Sequence, residues 1–267
     1  MSCSQLIMFQ FASKPTIGLS IIIVSWNVKD YLRNCLQSVI DSCQEINYEI
    51  IVIDNASKDE SVKMVRKSFP QVELIVNQDN LGFNKGNNQG IRMAKGQYLM
   101  LINPDTVVNK EAMQGLLDYL KTNQRVGIVG PEQLSERNRT VSTASRLSIR
   151  GNLEFTAEHL VSWLTGNYQI IFNKPYKVGI LNGGCWLVRR EVFEQVGLFN
   201  EDLFLFGEEP KFCYRTIRRR WEIHFARQFY IHHFRRKSIE QMEKSEANQF
   251  IRDYYNLIKN KLLGRKV

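Results

Sequence analysis

The chain has 267 residues, 43% of them hydrophobic and 24% charged, which is the ordinary composition of a soluble globular protein with a sizeable core. Its longest apolar run, around residues 17–24, is too short to cross a bilayer, and the first thirteen residues lack the basic segment of a signal peptide. Five cysteines without a CxxC pair indicate a reducing compartment and neither a disulfide framework nor a zinc site.

The formal net charge of +9 is concentrated toward the carboxyl end of the chain. Residues 212–237 hold eight Lys or Arg and a single acid, Glu222. Such a segment suits an anionic membrane, a phosphorylated substrate or nucleic acid. Because no RNA- or DNA-binding motif accompanies it, we rank nucleic acid last and expect no nucleic-acid partner.

The first half of the sequence alternates strands with helices. Apolar, β-branched segments predict strands at residues 19–24, 49–53, 72–76 and 98–102. Amphipathic segments predict helices at residues 28–42, 59–68, 84–94 and 110–122. Continuous apolar strands between amphipathic helices indicate a parallel sheet that is covered on both faces.

The second half has a weaker pattern. Polar and basic residues dominate 132–150, which predicts a long loop, and regular structure resumes at 185–188. A helix is predicted over 211–219, and a short apolar segment at 228–231 follows it. Residues 238–267 have helical periodicity with one apolar face, which predicts an amphipathic tail helix.

Polar residues follow three of the predicted strands and therefore share one edge of the sheet. They are Ser25, Trp26 and Asn27 after the first strand, Asp54 and Asn55 after the second, and Asn103, Pro104 and Asp105 after the fourth. Pro104 cannot continue a central strand, so Asp105 lies at a carboxyl strand end, where open α/β sheets bind ligands. Taken alone, Asp105 is more simply a turn or cap residue. Asp54 could accept a hydrogen bond from a base imide, while its neighbours turn the chain or cap the next helix.

Three further motifs have both a structural and a functional interpretation. Glycines 82, 86 and 90 fit neither a dinucleotide fingerprint nor a P-loop, so their spacing favours close packing. Glu209 precedes Pro210, which predicts a helix N-cap or a general base at Glu209. Of His232 and His233, one could be a core residue and the other a metal ligand or a cleft residue.

Taken in order, six segments of the chain resemble the glycosyltransferase family 2 enzymes of the GT-A fold. The similarity is greatest to the rhamnosyltransferase-type members that build bacterial surface polysaccharides. The segments are IIIVSWN, IIVIDNASKDES, NQDNLGFNKGNNQG, GQYLMLINPDT, LNGGCWLVRREVFEQVGLFNEDLFLFGEE and IHHFRRKS. The resemblance implies a Rossmann-like α/β domain over residues 1–237, with a mostly parallel central sheet flanked by helices, followed by the tail at 238–267.

The resemblance also implies roles for individual residues. Asp105 and His232 would bind Mn²⁺ or Mg²⁺, and Glu209 would be the catalytic base beside Glu208. The donor-binding residues would be Val24, Ser25, Trp26, Asp54, Asn55, Gly82, Phe83, Asn87, Asn103, Gly183 and Gly184. A carboxylate base deprotonates the acceptor hydroxyl, and a hard cation neutralises the leaving diphosphate.

The implied activity is metal-dependent, inverting transfer from a nucleotide-sugar, with dTDP- or UDP-sugars as donors and rhamnose as one candidate sugar. The acceptor would be a glycan or lipid-linked glycan, and the enzyme would be cytoplasmic, with peripheral contact to the inner face of the membrane as a further expectation. Four positions depart from the family pattern: Asn103 replaces the first acid of a DxD element, Glu209 the usual Asp, Lys211 an acid and Arg236 a glycine. A catalytically silent member that binds nucleotide-sugars or scaffolds a complex is the alternative, supported by Asn103 and Lys211. A nicotinamide-dependent oxidoreductase is disfavoured, because no GxGxxG follows the first strand.

Overall fold

The computed structural model of the protein describes residues 10–11, 14–136, 138, 140–141, 144–145, 174–202 and 208–234. The predicted tail helix at 238–267, the domain boundary at residue 237, and Arg236 lie outside these residues. Across the described ranges, no helix combines the length and the apolar character needed to span a bilayer.

The first half confirms the predicted alternation of strands and helices. The strands are β1 (Ile17–Ser25), β2 (Tyr48–Asp54), β3 (Glu73–Val76) and β4 (Gly96–Ile102). The helices are α1 (Lys29–Ser42), α2 (Ser61–Ser68), α3 (Gly82–Met93) and α4 (Lys110–Thr122). Neighbouring strands of this half pair in parallel, in the order β3-β2-β1-β4.

The second half completes the sheet and adds two helices among the described residues. The strands are β5 (Thr106–Val107), β6 (Val126–Leu134), β7 (Thr140–Val141), β8 (Ala144–Ser145), β9 (Tyr176–Val178), β10 (Ile180–Leu181), β11 (Cys185–Arg189) and β12 (Glu222–His233). The helices are α5 (Arg190–Val196) and α6 (Glu208–Arg218). The main sheet runs β3-β2-β1-β4-β11-β6-β12-β5, and β8 pairs with β10 separately.

Strand direction determines where the functional residues meet. β11 is antiparallel to both β4 and β6, and β12 is parallel to β6. β6 and β12 therefore run in the same direction as β1, β2 and β4, and the carboxyl ends of all five lie at one edge.

Three predictions for the second half are corrected. The predicted loop at 132–150 contains the end of β6 and two short strands, and its first two polar residues, Glu132 and Gln133, are buried in the fold rather than solvated. The apolar segment at 228–231 is part of a twelve-residue strand whose alternation is broken by a register shift between Ala226 and Tyr230. Helix α6 begins at Glu208, so Glu209 lies in its first turn, where the following Pro210 is tolerated because first-turn N–H groups have no intrahelical partner.

Two apolar layers cover the two faces of the sheet. Side chains alternate along β1, so that Leu19, Ile21 and Ile23 face the helices α1, α2 and α4, whereas Ile22 faces α3, α5 and α6. These side chains are buried, and burying one apolar side chain of this size contributes about 1.5–3 kcal/mol. This double coverage explains the near-continuous apolar sequence of the strands.

Close packing of α3 on β1 explains two of the three glycines. A Cβ on Gly86 would lie 2.7 Å from Cγ1 of Val24, and a Cβ on Gly90 would overlap Ile22. Both glycines therefore let the helix backbone approach the strand, as their spacing predicts.

Two consecutive buried arginines form hydrogen bonds with the carboxyl ends of helices on opposite faces of the sheet. The Arg189 guanidinium donates hydrogen bonds to the carbonyls of Leu120 and Asn123 at the end of α4 and of Val126 at the start of β6. The Arg190 guanidinium donates to Ala94 and Gly96, just after α3, at 3.0 and 3.1 Å. Cations at helix carboxyl ends satisfy the last carbonyls and oppose the helix dipole.

Candidate active site

The end of β2 holds a buried carboxylate with one unsatisfied oxygen. Asp54 is 1% exposed, and its Oδ1 accepts the backbone N–H of Ser57 at 2.9 Å. Within the described residues its Oδ2 has no hydrogen-bond partner, and neither does the buried hydroxyl of Ser25, its register partner on β1. Burial raises the pKa of the Asp54 carboxyl, although the hydrogen bonds from Ser57 oppose this. A ligand with a hydrogen-bond donor would relieve the unsatisfied oxygen.

The other residues near β2 that are predicted to bind the sugar donor form the sides of the site at this edge of the sheet. The Asn55 amide donates to the carbonyl of Gly82 at 3.1 Å and accepts from Asn77, which fixes the start of α3 beside β2. Gly82 has φ +82, which favours glycine there. The buried Asn87 amide donates to the carbonyl of Phe83 at 2.9 Å.

Trp26 and Phe83 are half-buried, and Val24 contacts Gly86. The amide oxygen of Asn27 accepts from the backbone N–H of Lys58, which joins the loop after β1 to the loop after β2.

The end of β4 brings Asn103 and Asp105 to a histidine on β12. His233 Nε2 lies 3.2 Å from Oδ1 of Asp105 and 3.3 Å from Nδ2 of Asn103. Asp105 and His233 are each 5% exposed. The chain is held here because β12 pairs with β5, with His233 opposite Thr106, and because the N–H of Phe234 donates to the Asp105 carbonyl.

The histidine that meets Asp105 is His233, whereas the resemblance assigned this role to His232. Successive side chains of a strand point to opposite faces, so only one histidine of the pair can face Asp105. His232 is half-buried on the other face, with Nε2 3.0 Å from Oδ1 of Asn138.

A glycine dipeptide lies between this cluster and the acids of α6. A Cβ on Gly183 would lie 2.9 Å from Oε1 of Glu209. A Cβ on Gly184 would lie 2.6 Å from Oε1 of Gln133 and 2.9 Å from the His233 ring. The predicted base and the His233 ring therefore pack against adjacent residues of one turn.

The two acids at the start of α6 have different surroundings. Glu208 is buried, and its Oε1 lies 2.7 Å from Nη2 of Arg215. Burial lowers the pKa of Arg215, and the Glu208 carboxylate opposes that shift. Glu209 is half-buried beside Gly183. Glu208 is thus engaged in an ion pair, and Glu209 faces the turn that carries the other site residues.

The Asp105–His233 pair has the chemistry of a partial metal site. A carboxylate oxygen and an imidazole nitrogen converge there, which suits Mn²⁺ or Mg²⁺ when further oxygens come from a substrate diphosphate. No group of three His, Cys, Asp or Glu side chains that could hold a metal occurs within the described ranges. Asp105 and His233 would supply two ligands, so a cation bound here would need further oxygens from a ligand such as a diphosphate.

Sequence reasoning left open which histidine of the 232–233 pair meets the site, the resemblance selected His232, and Gln133 was missed. The signal for His233 was available, because the buried Ile231 lies two residues earlier on the same strand face. Gln133 lies in the polar stretch that reads as a loop, and no local pattern distinguishes it.

Comparison with known proteins agrees with this architecture. Residues 20–197 match the family model described as glycosyl transferase family 2. The chain is 28% identical over 255 residues to a low-salt glycan biosynthesis hexosyltransferase of Haloferax volcanii, covering 93% of this chain and 78% of that protein. It is 26% identical over 208 residues to an N-acetylglucosaminyl-diphospho-decaprenol L-rhamnosyltransferase of Mycobacterium tuberculosis, covering 72% of this chain and 67% of that protein.

Solved structures share the fold at low sequence identity. GalNAc-T7 with UDP, GalNAc and Mn²⁺ aligns with a TM-score of 0.62 and 18% identity, over 81% of this chain and 44% of that one. A mannosyltransferase from Pyrobaculum calidifontis, in complex with GDP-Man and Mn²⁺, aligns with a TM-score of 0.58 and 16% identity, over 83% and 59%. These alignments identify the GT-A fold.

Proposed function

Because this chain belongs to glycosyltransferase family 2, we propose that it transfers a sugar, with inversion, from a nucleotide-sugar to a hydroxyl of a glycan or lipid-linked acceptor. The observation that carries the proposal is the Gly183–Gly184 turn, which packs against Glu209 on one side and His233 on the other. A base and a diphosphate site must lie this close together if one attack at an anomeric carbon is to use both.

The donor base is proposed to bind at Asp54. Its buried Oδ2 lacks a partner among the described residues and can accept the imide N–H of uracil or thymine. The neighbouring Ser25 hydroxyl offers a further hydrogen bond, and Val24 and Trp26 at the end of β1 are proposed to line the same site. Asn55, through its hydrogen bond to Gly82, holds the opposite wall in position.

The donor diphosphate is proposed to bind beside Asp105, His233 and Asn103. A bound Mn²⁺ or Mg²⁺, held by Asp105 and His233, would neutralise the charge that develops on the leaving diphosphate. Asn103 adds no negative charge, but its amide can donate a hydrogen bond to a phosphate oxygen. An amide at position 103 can therefore serve an active enzyme, even though the first acid of a DxD element is absent.

Glu209 is proposed as the general base. As the acceptor oxygen forms its bond to the anomeric carbon, its proton passes to the Glu209 carboxylate and the bond to the diphosphate breaks. One direct displacement inverts the anomeric configuration. Glu208 is proposed to support the start of α6 through its ion pair with Arg215.

Relatives of this chain suggest which donors to test. The Mycobacterium tuberculosis relative is named a rhamnosyltransferase and the Haloferax volcanii relative a hexosyltransferase, so we propose rhamnose or a hexose as the sugar. A diphospho-lipid-linked sugar, as in the name of the mycobacterial relative, is the acceptor class to test first.

A thermal-shift screen of dTDP-rhamnose and of UDP- and GDP-hexoses, with and without Mn²⁺, tests the proposal. A donor at about one hundred times its Kd stabilises the fold by about 2.7 kcal/mol. The donor that binds is then incubated with Mn²⁺ and acceptor, and release of nucleoside diphosphate is measured. Binding without transfer or donor hydrolysis would identify a catalytically silent member instead. No binding by any donor would contradict the proposed site.

A further inference from the structure

We propose that Gln133 is a positioning residue that holds His233 in the tautomer with hydrogen on Nδ1, so that the Nε2 lone pair faces Asp105. The inference rests on the proposed function, since it concerns the diphosphate side of that site. It also gives Gly184 a role distinct from the donor contact that the resemblance implies.

The contact between Gln133 and His233 is short and buried. Gln133 Oε1 lies 2.7 Å from Nδ1 of His233, and Gln133 is 2% exposed. An amide oxygen only accepts hydrogen bonds, so Nδ1 must carry the hydrogen. Water has little access to this pair, so no solvent molecule readily replaces the amide as a partner.

A second neighbour favours the same tautomer independently. Asn103 Nδ2 lies 3.3 Å from Nε2 of His233, and an amide nitrogen donates rather than accepts. A hydrogen bond from this amide therefore requires a lone pair on Nε2. One amide on each side of the ring selects the Nδ1–H form.

This tautomer leaves two electron-pair donors facing each other. His233 Nε2 and Asp105 Oδ1 are 3.2 Å apart, and two lone pairs at that distance repel unless a proton or a metal cation lies between or beside them. Gln133 fixes the ring without adding a charge.

Gly184 makes room for the Gln133–His233 hydrogen bond. Its φ is +137, in the region that favours glycine, and a Cβ would lie 2.6 Å from Oε1 of Gln133. The same Cβ would lie 2.9 Å from Nδ1 and Cε1 of His233. Any side chain at this position would push the two hydrogen-bonded groups apart.

The strands hold both partners in place. Gln133 is the register partner of Ile231, and β6 and β12 remain paired up to His232 opposite Leu134. Neither Gln133 nor His233 can therefore move along its strand without breaking backbone hydrogen bonds.

The test compares Gln133→Leu, Gln133→Glu and wild type. Nitrogen-15 NMR of the histidine rings in the metal-free protein reports the tautomer, and calorimetry reports Mn²⁺ binding with UDP or dTDP, whichever nucleotide the wild type binds. For Gln133→Leu we expect loss of the pure Nδ1–H signature of His233 and a roughly 10- to 100-fold weaker Mn²⁺ affinity, the usual effect of removing an outer partner of a metal-binding histidine. Gln133→Glu keeps an acceptor of nearly the same shape and should retain the hydrogen on Nδ1.

Matched variants separate this role from simple packing. Asn138→Ala removes the amide that contacts His232 and should leave both readouts unchanged. Gly184→Ala alters neither partner chemically but should disturb the tautomer as Gln133→Leu does. If Gln133→Leu is folded and keeps both the wild-type ring signature and the wild-type Mn²⁺ affinity, the proposal is wrong. A loss of metal affinity with an unchanged tautomer would also overturn it.

The ring signature also distinguishes this proposal from the proposed function. If wild type binds no Mn²⁺ with any nucleotide, the proposed diphosphate site fails. The tautomer of His233 in metal-free wild type and Gln133→Leu still decides whether Gln133 positions the ring.

Discussion

At the residue scale, Asp54 illustrates how a binding site can reduce the stability of the free protein. Its folded-state pKa is raised by burial, so the carboxyl favours folding when protonated, and this contribution is lost as the pH rises through the folded pKa. Near neutral pH the ionised group therefore opposes folding until a ligand donates to it. Such conflicts between stability and binding are common at functional sites.

Replacing Asp54 with Asn should separate these two effects. The amide oxygen can still accept from Ser57, and the NH₂ group removes the buried charge. We expect the variant to gain about 1 kcal/mol at neutral pH, or about 2–4 °C in Tm, and to lose this advantage as the pH is lowered toward about 4. Binding of UDP or dTDP should weaken at least about tenfold, because the imide N–H would meet a donor. Differential scanning fluorimetry across pH and calorimetry measure the two effects; unchanged nucleotide affinity would contradict the role of Asp54.

Substitutions of the two neighbouring acids of α6 should have different effects. Glu209→Gln keeps the size and removes the basicity, so kcat should fall roughly 10²-fold or more, while donor affinity stays nearly constant. Glu208→Gln should mainly lower Tm, because it weakens the buried ion pair with Arg215. Steady-state kinetics with a verified donor and acceptor, and thermal melts, measure both. If Glu208→Gln is inactive and Glu209→Gln is active, the two roles are reversed.

The two adjacent histidines provide a matched comparison. Asp105→Ala should abolish Mn²⁺-dependent binding of nucleoside diphosphate, and His233→Ala should weaken it substantially, because both side chains converge on one point. His232→Ala serves as the control and should leave this affinity unchanged, since its ring faces Asn138. Calorimetry with and without Mn²⁺ measures the affinities. Equal losses of affinity in both histidine variants would count against the assignment of His233, rather than His232, to the cation site.

At the scale of elements, the sequence was sufficient where one local pattern dominated. The helix predicted at residues 110–122 coincides with α4. Its amphipathic repeat begins directly after Asn109, whose side chain caps the helix by accepting from the N–H of Ala112. The pattern failed where partners are distant in sequence. Gln133 is polar but buried. Its hydrogen-bond partner, His233, lies a hundred residues further along the chain, so no local pattern predicts the pair. The resemblance placed the metal ligand at His232, one residue from the histidine that meets Asp105, and a shift of one residue reverses the face of a strand.

The arginine at the end of β11 should contribute strongly to stability. Arg189→Lys keeps the charge, but a single ammonium group cannot match the carbonyls of Leu120, Asn123 and Val126 as the planar guanidinium does. Each buried carbonyl left without a partner costs about 1–3 kcal/mol, so we expect a loss of about 2–4 kcal/mol. Arg92→Lys is the control, because the Arg92 side chain is 48% exposed and its ion pair with Glu201 is worth at most about 1 kcal/mol. Urea melts compare the two, and equal stability would refute the role of Arg189.

At the scale of the whole molecule, the division into residues 1–237 and a tail at 238–267 remains a prediction. We further propose that the tail, with the basic segment before it, contacts an anionic membrane. Co-sedimentation with vesicles containing phosphatidylglycerol should detect binding that falls when the tail is deleted and when salt is raised. The alternative is that the apolar face of the tail packs on the catalytic domain. Binding that is indifferent to both changes would rule out the membrane proposal.

The place of β11 in the sheet has a consequence for synthesis of the protein. β11 pairs with β4 on one side and β6 on the other, yet it is translated about fifty residues after β6 ends. While the chain is still emerging from the ribosome, the facing edges of β4 and β6 have no strand between them. Unpaired strand edges of this kind attract other strands, so we expect the nascent protein to be prone to misassociation until residue 189 is released.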